Sequence, residues 1–306
     1  METYFATITI IGIATCFLVG TNGFLFKKND CLVSEWSQWS APYGFGDISR
    51  ERKILRYPTN GGAACPAVLV EVNQTSQTPP LNATAGNMIR YFIKRARLQK
   101  RQAVGQLRDL LVIVDSSGSI TPEGFAIGKK QLSRLLGMLC PVPNPFDSNY
   151  QRAALLQYSS TVQEIFDFND KPSTNLVQQG INSMIYDAGI TCTGDAFNYA
   201  YNNMFTTAKG MRTSPDVKQE VLIITDGQSN CGVNAIAAAA NLQTKADVFG
   251  LMIGYHTPAG EAELTSYVSY PINTHLFAIN GMQDLEQLVN LIDSQLSTVP
   301  CAPFDL

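Results

Sequence analysis

Residues 106–300 predict an α/β domain built on a doubly wound, mostly parallel sheet with one antiparallel hairpin at its edge. Two observations carry this. From Arg108 onward, apolar runs of strand length alternate with stretches of helical periodicity, the pattern of parallel strands joined by covering helices. One pair of runs, LLQYSS and TVQEIF, is separated by a turn too short for a crossover helix, so these two strands must pair antiparallel.

The elements follow in order. Strands are expected at 110–114, 153–158, 162–168, 221–225, 248–253 and 275–279, short apolar runs suited to burial on both faces. Phe125, Gly128, Leu132, Leu135, Leu136 and Leu139 recur at three- and four-residue steps and give the first helix one apolar face. Leu285, Leu288, Ile292 and Leu296 do the same for the last helix. Ahead of this domain, residues 31–72 hold both tryptophans and two cysteines, and residues 73–105 turn polar and then basic, which reads as a linker.

The chain has 306 residues, 45% hydrophobic and 15% charged, enough for one large and one small domain. Its net charge of −3 excludes a generally basic nucleic-acid binder and gives no electrostatic attraction to a membrane surface. With His256 and His275 as the only histidines, a poly-histidine metal centre has too few ligands. Residues 1–20 contain an apolar run ending in small residues and read as a cleaved signal peptide, although the short n-region has no Lys or Arg. A retained anchor is the alternative, since the run is close to the lower limit of a bilayer span; no later stretch approaches that length. Without Cys16 the cysteines number an even six. Asn73 in NQT and Asn82 in NAT are N-glycosylation acceptors. Together these features predict a secreted, extracellular protein with disulfides.

The first strand runs into Asp115-Ser116-Ser117-Gly118-Ser119, and a second, VLIIT, ends in Asp226-Gly227. Ligand loops of a parallel α/β sheet gather at the carboxyl ends of its strands, so the two carboxylates are expected at one edge. Between them, GITCTG precedes a helix and offers Thr191 and Thr193. Oxygen ligands without nitrogen or sulfur suit a hard cation: Mg²⁺, or alternatively Mn²⁺ or Ca²⁺. Taken singly, these pieces also serve as helix caps and turns; their order along the chain makes them a site.

DSSGS, GITCTGDAF and VLIITDG together resemble the von Willebrand factor A and integrin inserted domains, over residues 106–300. The resemblance implies a metal-ion-dependent adhesion site. In it Ser117, Ser119 and Thr191 would coordinate the cation directly, and Asp115 and Asp226 would act largely through water. A Glu or Asp of a partner would complete the octahedron, because neutral hydroxyls leave the ion with uncompensated charge. An enzyme is not expected: no serine lies in a G-x-S-x-G elbow, neither histidine belongs to a triad segment, and there is no phosphate loop. No catalytic residue is therefore assigned. On the same topology Cys192 and Cys231 fall on loops at the metal edge, and Cys140 and Cys301 follow helices that end at the opposite edge. The expected bridges are thus Cys192–Cys231 and Cys140–Cys301.

Residues 31–65 resemble a thrombospondin type 1 repeat through Cys31, Trp36-Ser-Gln-Trp39, Arg50, Arg52, Asn60-Gly-Gly and Cys65-Pro66. The resemblance implies an elongated three-stranded module in which Arg50 and Arg52 stack against Trp36 and Trp39. It also implies a C-mannosylation motif at Trp36. The family's C-S-x-x-C-G is replaced by Ala41-Pro42-Tyr43-Gly44, so the repeat is degenerate, without the O-fucosylation site and with Cys31–Cys65 as its one internal bridge. The basic run Arg90, Lys94, Arg95, Arg97, Lys100 and Arg101 has three readings: a solvated helix face by default, a glycosaminoglycan patch, or a dibasic processing site.

The expected function is a secreted adhesion or extracellular-matrix protein that holds an acidic residue of a matrix or cell-surface partner at its cation. The alternative is a structural matrix component that assembles through its A domain, with the metal secondary.

Overall fold

The computed structural model describes residues 27–40, 42–74, 78–93, 107–139, 146, 150–254 and 256–298. The expected signal peptide (1–20), the Cys140–Cys301 bridge and the basic residues Lys94, Arg95, Arg97, Lys100 and Arg101 lie outside them. Two compact units are present. One gathers the described residues of Met1–Ser37 and Glu51–Val70, the other those of Gln38–Arg50 and Glu71–Leu306.

The first unit pairs β1 (Leu32–Val33) antiparallel with β3 (Ile54–Arg56). None of its described side chains is buried. Cys31 and Cys65 are bridged. Ser34 and Ser37 donate their amides to the carbonyls of Lys53 and Glu51, and their hydroxyls accept from the amides of those same residues at 2.9 and 3.0 Å. The Arg52 guanidinium lies 4.4 Å from the Trp36 ring and donates to the Val68 carbonyl at 2.9 Å. A stacked cation of this kind contributes about 0.5–1 kcal/mol at an exposed site.

In the second unit β2 (Asp47–Glu51) pairs with β4 (Val70–Gln74). Regular pairing within residues 31–72 is therefore two short ladders. The segment carrying Trp36 and Trp39 is bonded but is not a regular strand, because serine hydroxyls take bonds that a ladder would give to carbonyls. Arg50 lies 4.8 Å from Trp39 and pairs with Glu71 at 2.6 Å. Asn73 on β4 and Asn82 on the following helix are both exposed.

That helix, α1 (Leu81–Met88), continues as a π-turn over Ile89–Ile93. Residues 81–93 fall inside the linker expected at 73–105, yet they are folded. Ala85, Met88, Phe92 and Ile93 are buried in the domain core and Leu81 packs against it. The Thr84 hydroxyl donates to the Ala278 carbonyl at 3.2 Å, and the Phe92 ring meets Phe249 edge-on at 5.3 Å. Upstream, Tyr43 and Phe45 are buried as well, and Gly44 (φ 52°) crosses so near Leu276 that a Cβ there would stand 2.8 Å from its Cδ2. The composition of the stretch suggested a linker, whereas its apolar positions at 81, 85, 88 and 92 have helical spacing.

The remaining elements are β5 (Leu107–Asp115), α2 (Pro122–Gly137), β6 (Gln151–Tyr158), β7 (Val162–Phe166), α3 (Thr174–Asn182), α4 (Thr193–Tyr199), β8 (Val217–Thr225), α5 (Ala235–Leu242), β9 (Asp247–Ile253), α6 (Pro258–Ser266), α7 (Ile272–His275), β10 (Leu276–Ile279) and α8 (Met282–Thr298). The six-stranded sheet runs β10-β9-β8-β5-β6-β7, and only β7 is antiparallel. Alternate side chains of β5 feed the two cores. Leu110, Val112 and Val114 pack with Leu135 and Leu136 of α2 and Leu288 of α8, while Leu111 and Ile113 pack with Phe197 of α4, Leu242 of α5 and Leu264 of α6. At the start of β5, buried Asp109 is paired with Arg212 at 2.7 Å, and Arg108 pairs with Glu220 while lying over the Phe92 ring.

Because β10 ends the sheet, α1 and the Tyr43–Phe45 turn cover an edge that would otherwise be bare. Met88→Ala is expected to lower stability in urea unfolding by about 2–5 kcal/mol, the cost of truncating a buried Met. A variant within about 0.5 kcal/mol of wild type, the scale of an ordinary surface substitution, would show that residues 81–93 are not docked.

Candidate cation site

The parallel register of β5 and β8 sets Val114 opposite Ile224, so Asp115 and Asp226 emerge at the same carboxyl edge. Asp115 is 1% exposed and each of its oxygens is engaged. Oδ1 accepts from the Ser117 amide at 2.8 Å, and Oδ2 accepts from the Thr225 hydroxyl at 2.7 Å and the Tyr158 hydroxyl at 3.4 Å. Ser119 donates its hydroxyl to Asp226 Oδ1 at 2.8 Å, and the Ser117 and Ser119 hydroxyls lie 3.2 Å apart. Four of the five expected ligand residues thus form one connected cluster.

Thr191 reaches this edge on a neighbouring loop. Ala188 donates its amide to the Ser116 carbonyl at 3.0 Å, and Gly118 donates to the Gly189 carbonyl at 2.8 Å, which joins the 186–191 loop to the 116–119 loop. Thr193, the other threonine of the motif, is fully buried with its hydroxyl 3.1 Å from that of Tyr158. It supports the tyrosine that supports Asp115. The Cys192–Cys231 bridge is formed and ties the threonine loop to the loop after Asp226.

Burial raises the pKa of Asp115 against the pull of its hydrogen bonds, and burial, with the nearby Asp115 charge, pushes Asp226 up to about 6. Among the described residues no cationic side chain lowers either carboxylate. The cluster therefore offers hydroxyl and carboxylate oxygens with a deficit of positive charge, which fits a hard divalent cation. Among the described residues no group of three or more His, Cys, Asp and Glu is arranged to hold a metal.

Sequence reasoning did not single out Thr225, Tyr158 or Asn230. Thr225 was visible as the residue before Asp226 on a strand end. Tyr158 could only be found once β6 was known to lie beside β5. Thr121, with φ 63°, caps α2 by accepting from the Gly124 amide at 3.2 Å and fixes the helix that starts beside the serine loop.

The fold and the cluster define a doubly wound α/β domain with hydroxyl and carboxylate oxygens gathered at the carboxyl edge of its sheet. The family model for the von Willebrand factor type A domain matches residues 109–291, more than half of the chain, and the chain belongs to that family. It is 27% identical to Matrilin-1 of Mus musculus over 201 residues, covering 65% of this chain and 38% of the relative. It is 28% identical to Matrilin-2 of Mus musculus over 251 residues, covering 82% and 23%, and 28% identical to the Collagen alpha-4(VI) chain of Mus musculus over 193 residues, covering 62% and 8%. The chain thus spans well under two thirds of the length of these relatives. Proximal thread matrix protein 1 from the mussel byssus, in a form with a zinc-occupied MIDAS motif, superposes with a TM-score of 0.54 at 24% identity, covering 62% of this chain and 48% of that chain. At that identity the likeness shows the fold.

Thr225→Val removes a buried donor to Asp115 without changing shape. It is expected to destabilise the EDTA-treated protein by about 1–3 kcal/mol in urea unfolding. An unchanged midpoint would show that Asp115 does not depend on this hydroxyl.

Proposed function

We propose that this chain is a secreted matrix adhesion protein whose A domain grips an acidic side chain of a protein partner through a divalent cation. Ser117, Ser119 and Thr191 would bind the ion directly, and Asp115 and Asp226 would hold it largely through water, with Mg²⁺ the resident ion and Mn²⁺ or Ca²⁺ as substitutes. The single observation that carries this reading is the hydrogen-bonded cluster Asp115–Ser117–Ser119–Asp226, two carboxylates at one edge with no cationic side chain beside them among the described residues. When bound, the ion would supply an open position with net positive charge, and an incoming carboxylate would gain from it.

A protein partner is favoured by apolar side chains on the loops of the same edge. Ile190 is 54% exposed and Val233 46%, on the segments that flank the Cys192–Cys231 bridge. Single exposed apolar residues are common, but two on ligand-bearing loops make a contact rim. A matrix setting is supported by the relatives, which include a collagen chain, and by the solved thread matrix protein. Two disulfides and the exposed Asn73 and Asn82 support secretion. The Trp36–Arg52 and Trp39–Arg50 stacks and the Cys31–Cys65 bridge support reading residues 31–72 as a degenerate thrombospondin type 1 repeat ahead of the A domain.

The test is retention of the full chain on a decellularised matrix. Retention in Mg²⁺, lost in EDTA and lost for Asp115→Ala, is the expected result. Equal retention in EDTA with self-association of the chain would replace this reading with a structural role in which the metal is secondary.

A further inference from the structure

We propose that Asn230 and Glu263, neither of them a ligand, are positioning residues that fix Thr191 for the cation; the proposal rests on the cation reading above. Thr191 follows a loop without regular structure in which Ala188 takes a left-handed φ of 58°. The residues on either side of Thr191 are held by the β6–β7 turn, Ile190 donating its amide to the Ser160 hydroxyl at 3.1 Å and Cys192 to the Ser159 carbonyl at 3.0 Å, whereas the amide and carbonyl of Thr191 itself are held by the loop after Asp226. The Thr191 amide donates to Asn230 Oδ1 at 2.9 Å, and the Asn230 amide donates back to the Thr191 carbonyl at 2.9 Å. The Ser229 hydroxyl donates to that same carbonyl at 3.2 Å. Both backbone groups of Thr191 are therefore held by two consecutive residues, and the next residue along is bridged to Cys231.

The holding loop is itself irregular, and its anchor is on α6. Glu263 accepts from the Ser229 amide at 3.0 Å, from Gln228 Nε2 at 2.8 Å and from the Tyr267 hydroxyl. Hydrogen bonds to an ionised acceptor are roughly twice as strong as neutral ones, so one carboxylate pins the loop at two successive residues. The chain of support runs from Glu263 to Ser229 and Asn230, and from there to Thr191. The requirement is geometric: a hydroxyl ligand contributes only when its backbone is already placed, and a small cation that demands near-ideal octahedral geometry tolerates little displacement.

Outer partners of metal ligands affect affinity in a characteristic range, about 10- to 100-fold on removal. Calorimetric titration of the full chain with Mg²⁺, and separately Mn²⁺, tests the assignment. Asn230→Ala and Glu263→Ala should each weaken binding about tenfold or more on that scale. Asn230→Asp, which keeps the acceptor for the Thr191 amide, should recover most of the affinity. Thr191 is 5% exposed, so leaving its amide unpaired should also lower the Asn230→Ala thermal midpoint in EDTA; the readout that a purely structural loop staple would not give is a loss of Mg²⁺ affinity measured well below that midpoint and restored in Asn230→Asp. If Glu263→Ala does not fold in EDTA, the Asn230 pair decides alone. Wild-type affinity in Asn230→Ala overturns the proposal while leaving the cation site intact. A wild-type chain that binds neither ion overturns the cation reading, and the proposal with it, before any variant is compared.

Discussion

The buried carboxylate of Asp115 and the half-buried one of Asp226, held at the ends of adjacent parallel strands with no cation paired to either among the described residues, are the constraint around which the rest of the large unit is arranged. Parallel register between β5 and β8 creates the juxtaposition, and burial on both faces of the sheet makes that register unambiguous, because a slip of one residue would exchange its two cores. The cost of desolvating Asp115 is offset locally by an amide and two hydroxyls. Asp226 accepts from the Ser119 hydroxyl and its own backbone amide, yet burial still pushes its pKa up to about 6. The imbalance is stable because the strands beneath it are so well buried, and it leaves this edge able to take up positive charge.

The remainder of the unit serves rigidity. At the far end of β5 the Asp109–Arg212 and Arg108–Glu220 pairs fix where the strand begins. At the edge of the sheet, α1 and the Tyr43–Phe45 turn belong to the same compact unit although they lie outside the stretch matched by the family model. They bury Met88 and Phe92 and cover β10, so the domain that carries the site draws on residues well upstream of its first central strand.

Much of this was legible in the sequence, and the reasons are physical. Continuous apolar runs gave the six strands because both faces of the sheet are buried, and the short link between LLQYSS and TVQEIF gave the one antiparallel pair. The cluster was legible because its residues fall at strand ends, where the topology collects them. Residues 81–93 read as linker in the sequence because the polar stretch before them and the basic stretch after them outweigh four apolar positions at helical spacing, which the docked helix buries or half-buries. Tyr158, Asn230 and Glu263 were not legible: each acts through a contact distant in sequence, and no local pattern marks a residue that supports a ligand without being one.

Anomalous diffraction from crystals of the full chain grown with Mn²⁺ decides whether the Asp115–Asp226 edge holds a divalent cation. The expected result is an anomalous peak bonded to the hydroxyls of Ser117, Ser119 and Thr191, with Asp115 and Asp226 around it. Crystals soaked to saturation that show no peak at this edge would contradict it.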